Sequence, residues 1–380
     1  MDLKHKASIK FEIEAICKDT GARAGVLTTP HGVVKTPVFM PVGTNGTLKS
    51  LTLDQTLNCG AQIILGNSYH LYLRPGHELI KNFGGLHKFT TWNMPMLTDS
   101  GGFQVMSLSK LLKKTSDGVY FKDPKGGKTH FIGPARSMEI QNAIGADIIM
   151  AFDDFPPNPA TYDQAKFSME RTHEFLEICV ENHKNSANQA LFGIVQGSIY
   201  EDLRIESAKF VTNIDLPGYA IGGVAVGEDR ETIEKISKFT ANLLPYEKPR
   251  YLMGIGTPWD ITHAIYAQID MFDCVSPTRL ARHGSFFLKQ ETPSIKRAQY
   301  SNDPLPLDPN CQCSTCLRYS RAYLHHIVRQ KEMIGAILLS VHNVYTLINY
   351  ANMARHAIIE GRFKEFYETE ASLRLNLKQL

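Results

Sequence analysis

The run Met271–Gly284, MFDCVSPTRLARHG, sets a short apolar segment directly before Asp273 and a turn containing Pro277 after it. Arg279, Arg282 and His283 follow at once. A carboxylate held at the end of a strand, with fixed positive charge nearby, suits an acid that stays ionised and attacks something carried on a phosphate backbone. An Asp that merely caps a turn, followed by solvated arginines, would read the same way. The stretches upstream decide between the two.

Working outward, the same arrangement recurs. Short apolar runs occur at 37–40, 61–65, 94–97, 147–151, 191–195, 219–221, 251–253 and 271–272. Between them lie amphipathic stretches that predict helices over 52–58, 134–144, 163–183, 200–212, 231–243 and 258–268. Alternating strands and helices imply a parallel sheet. Eight such units match an α/β fold of the (β/α)8 TIM-barrel type, with a doubly wound open sheet as the alternative. Barrels of this type carry their chemistry at the C-terminal strand ends. Those ends hold Gly43-Thr44-Asn45, Gly66-Asn67, Asp99-Ser100-Gly101-Gly102-Phe103, Asp153-Asp154, Gln196-Gly197, Gly222-Gly223, Gly254-Ile255-Gly256 and Asp273. Turns need glycine and aspartate in any case. They do not need a lone carboxylate or amide directly after each apolar run.

The other segments frame this core. Residues 1–36 read as strands covering one end of a barrel that spans 37–291. The lysine-rich stretch Ser109–His130 reads as an inserted hairpin on the active-site side. Residues 292–362 form a separate zinc-binding helical subdomain, and 363–380 a charged helical tail. The composition is 43% hydrophobic and 21% charged, with a formal net charge of +3. Any nucleic-acid site is therefore a local patch rather than a global property. No apolar run reaches the length needed to span a bilayer. The N-terminus lacks the pattern of a signal peptide. Of seven cysteines, Cys311, Cys313 and Cys316 are clustered. An odd count, one tight cluster and no export signal indicate a reducing, cytoplasmic location and a metal rather than disulfides. A C-x-C-x-x-C knuckle brings three thiols onto one ion, and a fourth ligand closes a structural zinc tetrahedron. His325, His326 and His342 are candidates. His342 is preferred, because it lies in an apolar run where an unpaired imidazole is costly to bury.

Asp99 and Asp273 form a carboxylate pair of the kind that breaks glycosidic bonds through a covalent intermediate. Asp153 and Gln196 offer acceptors and an amide suited to the edge of a guanine-like base. Gly222-Gly223 lets backbone approach a flat ligand closely.

The motifs TDSGGFQ (98–104), FDD-x-PP (152–157), GIVQG (193–197), AIGGVAVGE (220–228), MGIGTPWD (253–260), MFDCVSPTR (271–279) and C-x-C-x-x-C with a later histidine resemble those of the bacterial tRNA-guanine transglycosylases (queuine tRNA-ribosyltransferases). The likeness runs from about Gly21 to His356. It implies a barrel with a zinc subdomain, one structural Zn2+ per subunit on Cys311, Cys313, Cys316 and His342, and a homodimer. It implies Asp273 as the nucleophile at C1′ of the wobble ribose and Asp99 as general acid/base. Asp99, Ser100, Gly101, Gly102, Phe103, Asp153, Gln196 and Gly223 would form the base site. Gly254, Ile255, Gly256, Thr257, Pro258, Trp259 and Asp260, with Thr278, Arg279, Leu280, Ala281 and Arg282, would hold RNA. The implied substrates are tRNAs for Asp, Asn, His and Tyr with a UGU anticodon-loop motif, and the incoming base preQ1 (7-aminomethyl-7-deazaguanine). Such chemistry requires a flipped base and sequence reading in a loop.

One departure stands out. The family's bacterial members usually have Asp-Glu-Cys after the fourth strand, whereas this chain has Asp153-Asp154-Phe155, and the bulk of Phe155 reshapes the base pocket. Val226 argues against a pocket widened for free queuine. A non-catalytic RNA-binding subunit of the same fold is the main competing reading, and a barrel glycosidase acting on sugars ranks behind it. Retention of Asp99 and Asp273 favours the enzyme, and the presence of only two tryptophans disfavours the glycosidase.

Overall fold

The computed structural model describes residues 9–108 and 113–378. Its strands, in chain order, are β1 (Lys10–Ile16), β2 (Arg23–Thr29), β3 (Gly32–Thr36), β4 (Val38–Gly43), β5 (Ile64–Gly66), β6 (Met96–Thr98), β7 (Lys113–Thr115), β8 (Gly118–Lys122), β9 (Thr129–Ile132), β10 (Ile148–Met150), β11 (Ala190–Val195), β12 (Gly218–Ile221), β13 (Arg250–Leu252) and β14 (Met271–Cys274). Strands β4, β5, β6, β10, β11, β12, β13 and β14 close into a parallel barrel, which excludes the open doubly wound sheet. Closure occurs where β14 pairs with β4, setting Asp273 opposite Met40.

The strands are apolar on both faces, as parallel strands under helices must be. Val38, Met40, Leu65, Leu97, Ile148, Met150, Phe192, Ile194, Ala220, Tyr251 and Met271 pack into one cluster inside the barrel. Their neighbours Phe39, Ile64, Met96, Ile149, Leu191, Tyr219, Leu252 and Phe272 join the larger core under the outer helices. The period-two alternation of side chains produces this division. Capping boxes start the helices Leu53–Asn58 (Thr52 with Gln55) and Tyr162–Asn182 (Thr161 with Gln164).

The antiparallel sheet β1–β3 lies at the N-terminal end of the barrel, where Ile9, Leu27 and Val34 pack into the interior cluster. A buried ion pair fastens it there. Arg23 Nε donates to Asp270 Oδ1 at 2.9 Å, and the Arg250 amide donates to Asp270 Oδ2 at 2.7 Å. Asp270 immediately precedes β14, so the strand carrying Asp273 is anchored from below.

The insertion after β6 is the expected hairpin with a third strand added. Strands β7, β8 and β9 form a three-stranded antiparallel sheet that extends to Ile132. The first residues of that expectation, 109–112, lie outside the described residues.

The C-terminal region packs closely on the barrel. The helix Met333–Ile359 packs on β4 and on the helices Leu53–Asn58, Pro258–Tyr266 and Ser276–Arg282. Arg355, buried on it, donates to the carbonyls of Gly25 (2.8 Å) and Thr36 (2.6 Å). By length and composition this helix is apolar enough to cross a bilayer, contrary to the expectation that no such segment exists. Its apolar surface is spent instead on the barrel wall. The last helix, Phe363–Lys378, docks on Pro258–Tyr266 rather than trailing as a tail.

Candidate active site

Asp99 follows β6 and Asp273 lies in β14, with β4 and β5 between them around the same rim. The Asp99 side chain is nearly enclosed. It accepts hydrogen bonds from Asn67 Nδ2 at 2.6 Å, the Ser68 amide at 2.9 Å and Ser68 Oγ at 3.3 Å. Burial pushes its pKa up to about 7; the Ser68 amide opposes this, and the nearby negative charge of Asp273 reinforces it. The two carboxylates therefore lie near enough on one rim for the charge of one to act on the other.

Asp273 is half-buried and supported differently. Oδ1 accepts from the Tyr251 hydroxyl at 2.6 Å and from the Gly254 amide at 3.1 Å. Among the described residues no hydrogen bond reaches Oδ2, which leaves that oxygen free to act. Burial raises the Asp273 pKa, and the two donors oppose the rise. Two carboxyls in unlike environments can divide acid and nucleophile roles between them. Gly254 occupies a left-handed conformation (φ 80°), which aims its N–H at Asp273 without steric cost.

A second group stands alongside. Asp153 Oδ2 accepts from Gln196 Nε2 at 2.8 Å. Ser100 also bonds to Asp153, and burial followed by the charge of Asp154 raises the Asp153 pKa to about 7. Among the described residues, Gln196 Oε1 is buried without a hydrogen-bond partner. An unmet acceptor beside a carboxylate fits a flat ligand that offers several N–H donors. Gly223 has φ 61°, and any Cβ there would collide with Gln196 Oε1. Arg204 holds this floor in place, donating to the carbonyls of Val195 (3.0 Å), Ser198 (2.8 Å), Gly222 (2.7 Å) and Gly223 (3.2 Å). Gly101, φ 80°, lies so close that a Cβ would sit 3.2 Å from the Tyr69 amide nitrogen. Gly102 opens the helix Gly102–Leu108. Phe103 is 46% exposed, and its ring lies 5.0 Å from that of Phe155, centroid to centroid.

The residues expected to hold RNA divide. Arg279 and Arg282 are exposed on the helix Ser276–Arg282, Leu280 is half-buried, and Thr278 and Ala281 are buried. Thr257 caps the helix Pro258–Tyr266 by accepting from the Asp260 amide at 3.2 Å, and Asp260 pairs with Arg230 at 3.0 Å. Ile255, Gly256 and Pro258 are buried. Trp259 requires a correction. It is buried, its indole donates to Glu234 at 2.6 Å, and Arg374 of the last helix lies 4.6 Å over the ring. It supports the segment from behind and keeps only 6% of its surface exposed.

Sequence reasoning missed Tyr251, Arg204 and Ser68. Tyr251 read as barrel core and Arg204 as the polar face of a helix. Asn67 was noted at a strand end but given no role.

Away from the rim, Cys311, Cys313, Cys316 and His342 converge. His342 Nδ1 lies 3.5, 3.7 and 3.3 Å from the three sulfurs in that order. Its Nε2 donates to the Phe287 carbonyl at 2.7 Å, which leaves the Nδ1 lone pair facing the thiols. The four side chains are poised to hold a metal ion.

A family model described as queuine tRNA-ribosyltransferase matches residues 17–374. A queuine tRNA-ribosyltransferase of Caldanaerobacter subterraneus subsp. tengcongensis is 51% identical over 362 residues, covering 95% of this chain and 96% of its own. Those of Geobacillus thermodenitrificans (50% over 360 residues, 95% of each chain) and Synechococcus elongatus (50% over 358 residues, 94% and 93%) are equally similar. With a closed barrel, two carboxylates on one rim and the Cys3His cluster in place, the chain belongs to the queuine tRNA-ribosyltransferase family.

Proposed function

We propose that the protein exchanges guanine at the wobble position of tRNA for preQ1, as a pentosyltransferase. The observation that carries this reading is the placement of Asp99 and Asp273 on one rim, near enough for one charge to act on the other. Asp273 Oδ2 attacks C1′ of the ribose as the C1′–N9 bond breaks. The electron pair leaves on guanine, which takes a proton from Asp99. The incoming base then gives its N9 proton to Asp99, and N9 attacks C1′. The ester C–O bond breaks, and Asp273 is restored as a carboxylate. An acid/base group with a pKa near 7 is suited to both halves of the exchange.

In this reading Asp153, Gln196 and Gly223 hold the base edge, and Phe103 covers its face beside Ser100, Gly101 and Gly102. Arg279 and Arg282 bind the RNA around the flipped nucleotide. The implied substrates are the UGU-containing tRNAs for Asp, Asn, His and Tyr, met in the cytoplasm by a homodimer. Val226 argues for preQ1 over queuine, and Phe155, packed on Phe103, shapes the site beside it.

The metal is zinc. A tetrahedral ion with Zn–S of about 2.3 Å and Zn–N of about 2.0–2.1 Å sets N···S edges of about 3.5–3.6 Å. The observed separations of 3.5, 3.7 and 3.3 Å match those edges. Four protein ligands leave no open position, so the ion serves structure only. Held by Cys311, Cys313, Cys316 and His342, it would tie the knuckle to the helix Met333–Ile359, and through Asn343, which donates to the Pro277 carbonyl at 3.0 Å, to the helix bearing Arg279 and Arg282.

The test is trapping. tRNA with a slowly reacting incoming base should leave an RNA–protein adduct that survives denaturation, and Asp273→Asn should abolish it. An adduct persisting in that variant would place the nucleophile elsewhere.

A further inference from the structure

Asp154 stands next to the base-binding Asp153 and points the other way. It is 2% exposed. Lys114 Nζ reaches its Oδ1 at 3.0 Å from β7, and Arg171 Nη1 reaches its Oδ2 at 3.2 Å from the helix Tyr162–Asn182. Arg171 also donates to the carbonyls of Thr115 and Gly118, at the turn joining β7 and β8. The Asp154 amide donates to Thr172 Oγ1 at 3.0 Å. One residue, buried among two cations from two elements, thus ties the inserted sheet and a barrel helix to the segment that carries Asp153. The lysine-rich insertion has no other assigned task.

We propose that Lys114 and Arg171 are positioning residues for base recognition: by pairing with both oxygens of Asp154 they hold Asp153 against Gln196 and offset the negative charge that Asp154 sets beside it. The inference rests on the proposed role of Asp153. A buried carboxylate left half-paired exerts its full charge on its neighbours. Asp153 and Asp154 are adjacent in the chain, and the charge of Asp154 already acts to protonate Asp153. Each cation removed from Asp154 strengthens that action. A protonated Asp153 presents a donor where the base also presents donors.

The other groups around Asp153 do not offer an alternative control. Gln196 and Ser100 are neutral bonding partners. The Cys179 thiol, on the helix Tyr162–Asn182, is pushed up to about 12 by burial and stays neutral. Arg204 is engaged with the carbonyls of Gly222 and Gly223. Lys114 and Arg171 are therefore the cations placed to offset Asp154.

Equilibrium dialysis of labelled guanine against the full-length protein, from pH 5 to pH 8, tests this. Binding that needs ionised Asp153 weakens toward acid. Lys114→Met, a change at a half-exposed side chain, should move the midpoint up by about half to one pH unit. Asp154→Asn should move it down by a similar amount. A purely structural role for the cluster would weaken binding at every pH without opposite shifts. Midpoints that stay at the wild-type value, or that move in the same direction, overturn the coupling while leaving base recognition intact. Wild-type affinity in Asp153→Asn overturns base recognition by Asp153, and the coupling falls with it.

Discussion

The Tyr251 hydroxyl donates a 2.6 Å hydrogen bond to Oδ1 of Asp273 from within the barrel. Tyr251 is 1% exposed, and its pKa is raised well above the ordinary value by burial and by the Asp273 charge. The phenol therefore stays a donor at every working pH, and it lowers the cost of keeping Asp273 ionised. A hydrogen bond to a charged group is worth about 1.5–3 kcal/mol. Tyr251→Phe should slow adduct formation by about 10- to 100-fold, leave guanine affinity unchanged, and move the acid limb of the pH–rate profile upward. Single-turnover rates measured against pH would check this; an unaltered profile would reduce Tyr251 to a packing residue.

Asp99 gives a stability signature as well as a catalytic one. Its pKa in the folded state is about 7, against an ordinary value of 3.8. Its contribution to stability is complete below the ordinary value and is lost as pH rises through about 7. Asp99→Asn removes that loss, with a slope of up to about 1.4 kcal/mol per pH unit across the window. The variant should gain thermal stability relative to wild type between pH 5 and pH 8 while losing turnover by at least about 100-fold. Paired melting curves across that range give the answer, and a constant difference between them would contradict the assignment.

The Cys3His cluster predicts a metal-dependent fold. His342→Ala, or prolonged chelation, should remove one zinc per chain and lower the melting temperature. It should also impair tRNA use more than free-base binding, because the helix bearing Arg279 and Arg282 is linked to the metal-bearing helix through Asn343. Elemental analysis alongside melting and dialysis separates these effects. Intact stability with no bound metal would remove the structural role.

Phe155 and Phe103 meet ring to ring at 5.0 Å. Such pairs contribute about 0.5–1.5 kcal/mol beyond area burial. Phe155→Ala should loosen Phe103 and raise KM for preQ1 by about 2- to 12-fold, with kcat largely retained and larger 7-substituents better tolerated. Steady-state kinetics with preQ1 and with a bulkier 7-substituted 7-deazaguanine would test both parts.

Much of this architecture was legible because barrel strands advertise themselves. Buried on both faces, they read as apolar runs, and the polar residue after each run marks the rim. That logic located Asp99, Asp153, Gln196 and Asp273. It could not reach Tyr251, whose side chain points inward like that of Met271, its partner on β14, and whose hydroxyl meets Asp273 across the two adjacent strands. Arg204 was hidden for a related reason: an arginine on an amphipathic helix reads as solvated until the fold brings four carbonyls to it. Trp259 misled in the opposite direction, since nothing local announces that a helix more than a hundred residues later will cover it. The helix Met333–Ile359 reads as separate because it follows the cysteines in sequence, whereas it packs on the helices Ser276–Arg282 and Pro258–Tyr266 and on the first barrel strand.

The sheet β1–β3 seals the bottom of the barrel, where Ile9, Leu27 and Val34 fill the interior. Among the described residues, that seal leaves the opposite rim as the way into the reaction chamber. On the proposed chemistry, the outgoing purine and its replacement must pass in turn through the same opening over which the polynucleotide is tethered, so a clamp that gripped the anticodon loop too firmly would obstruct its own traffic.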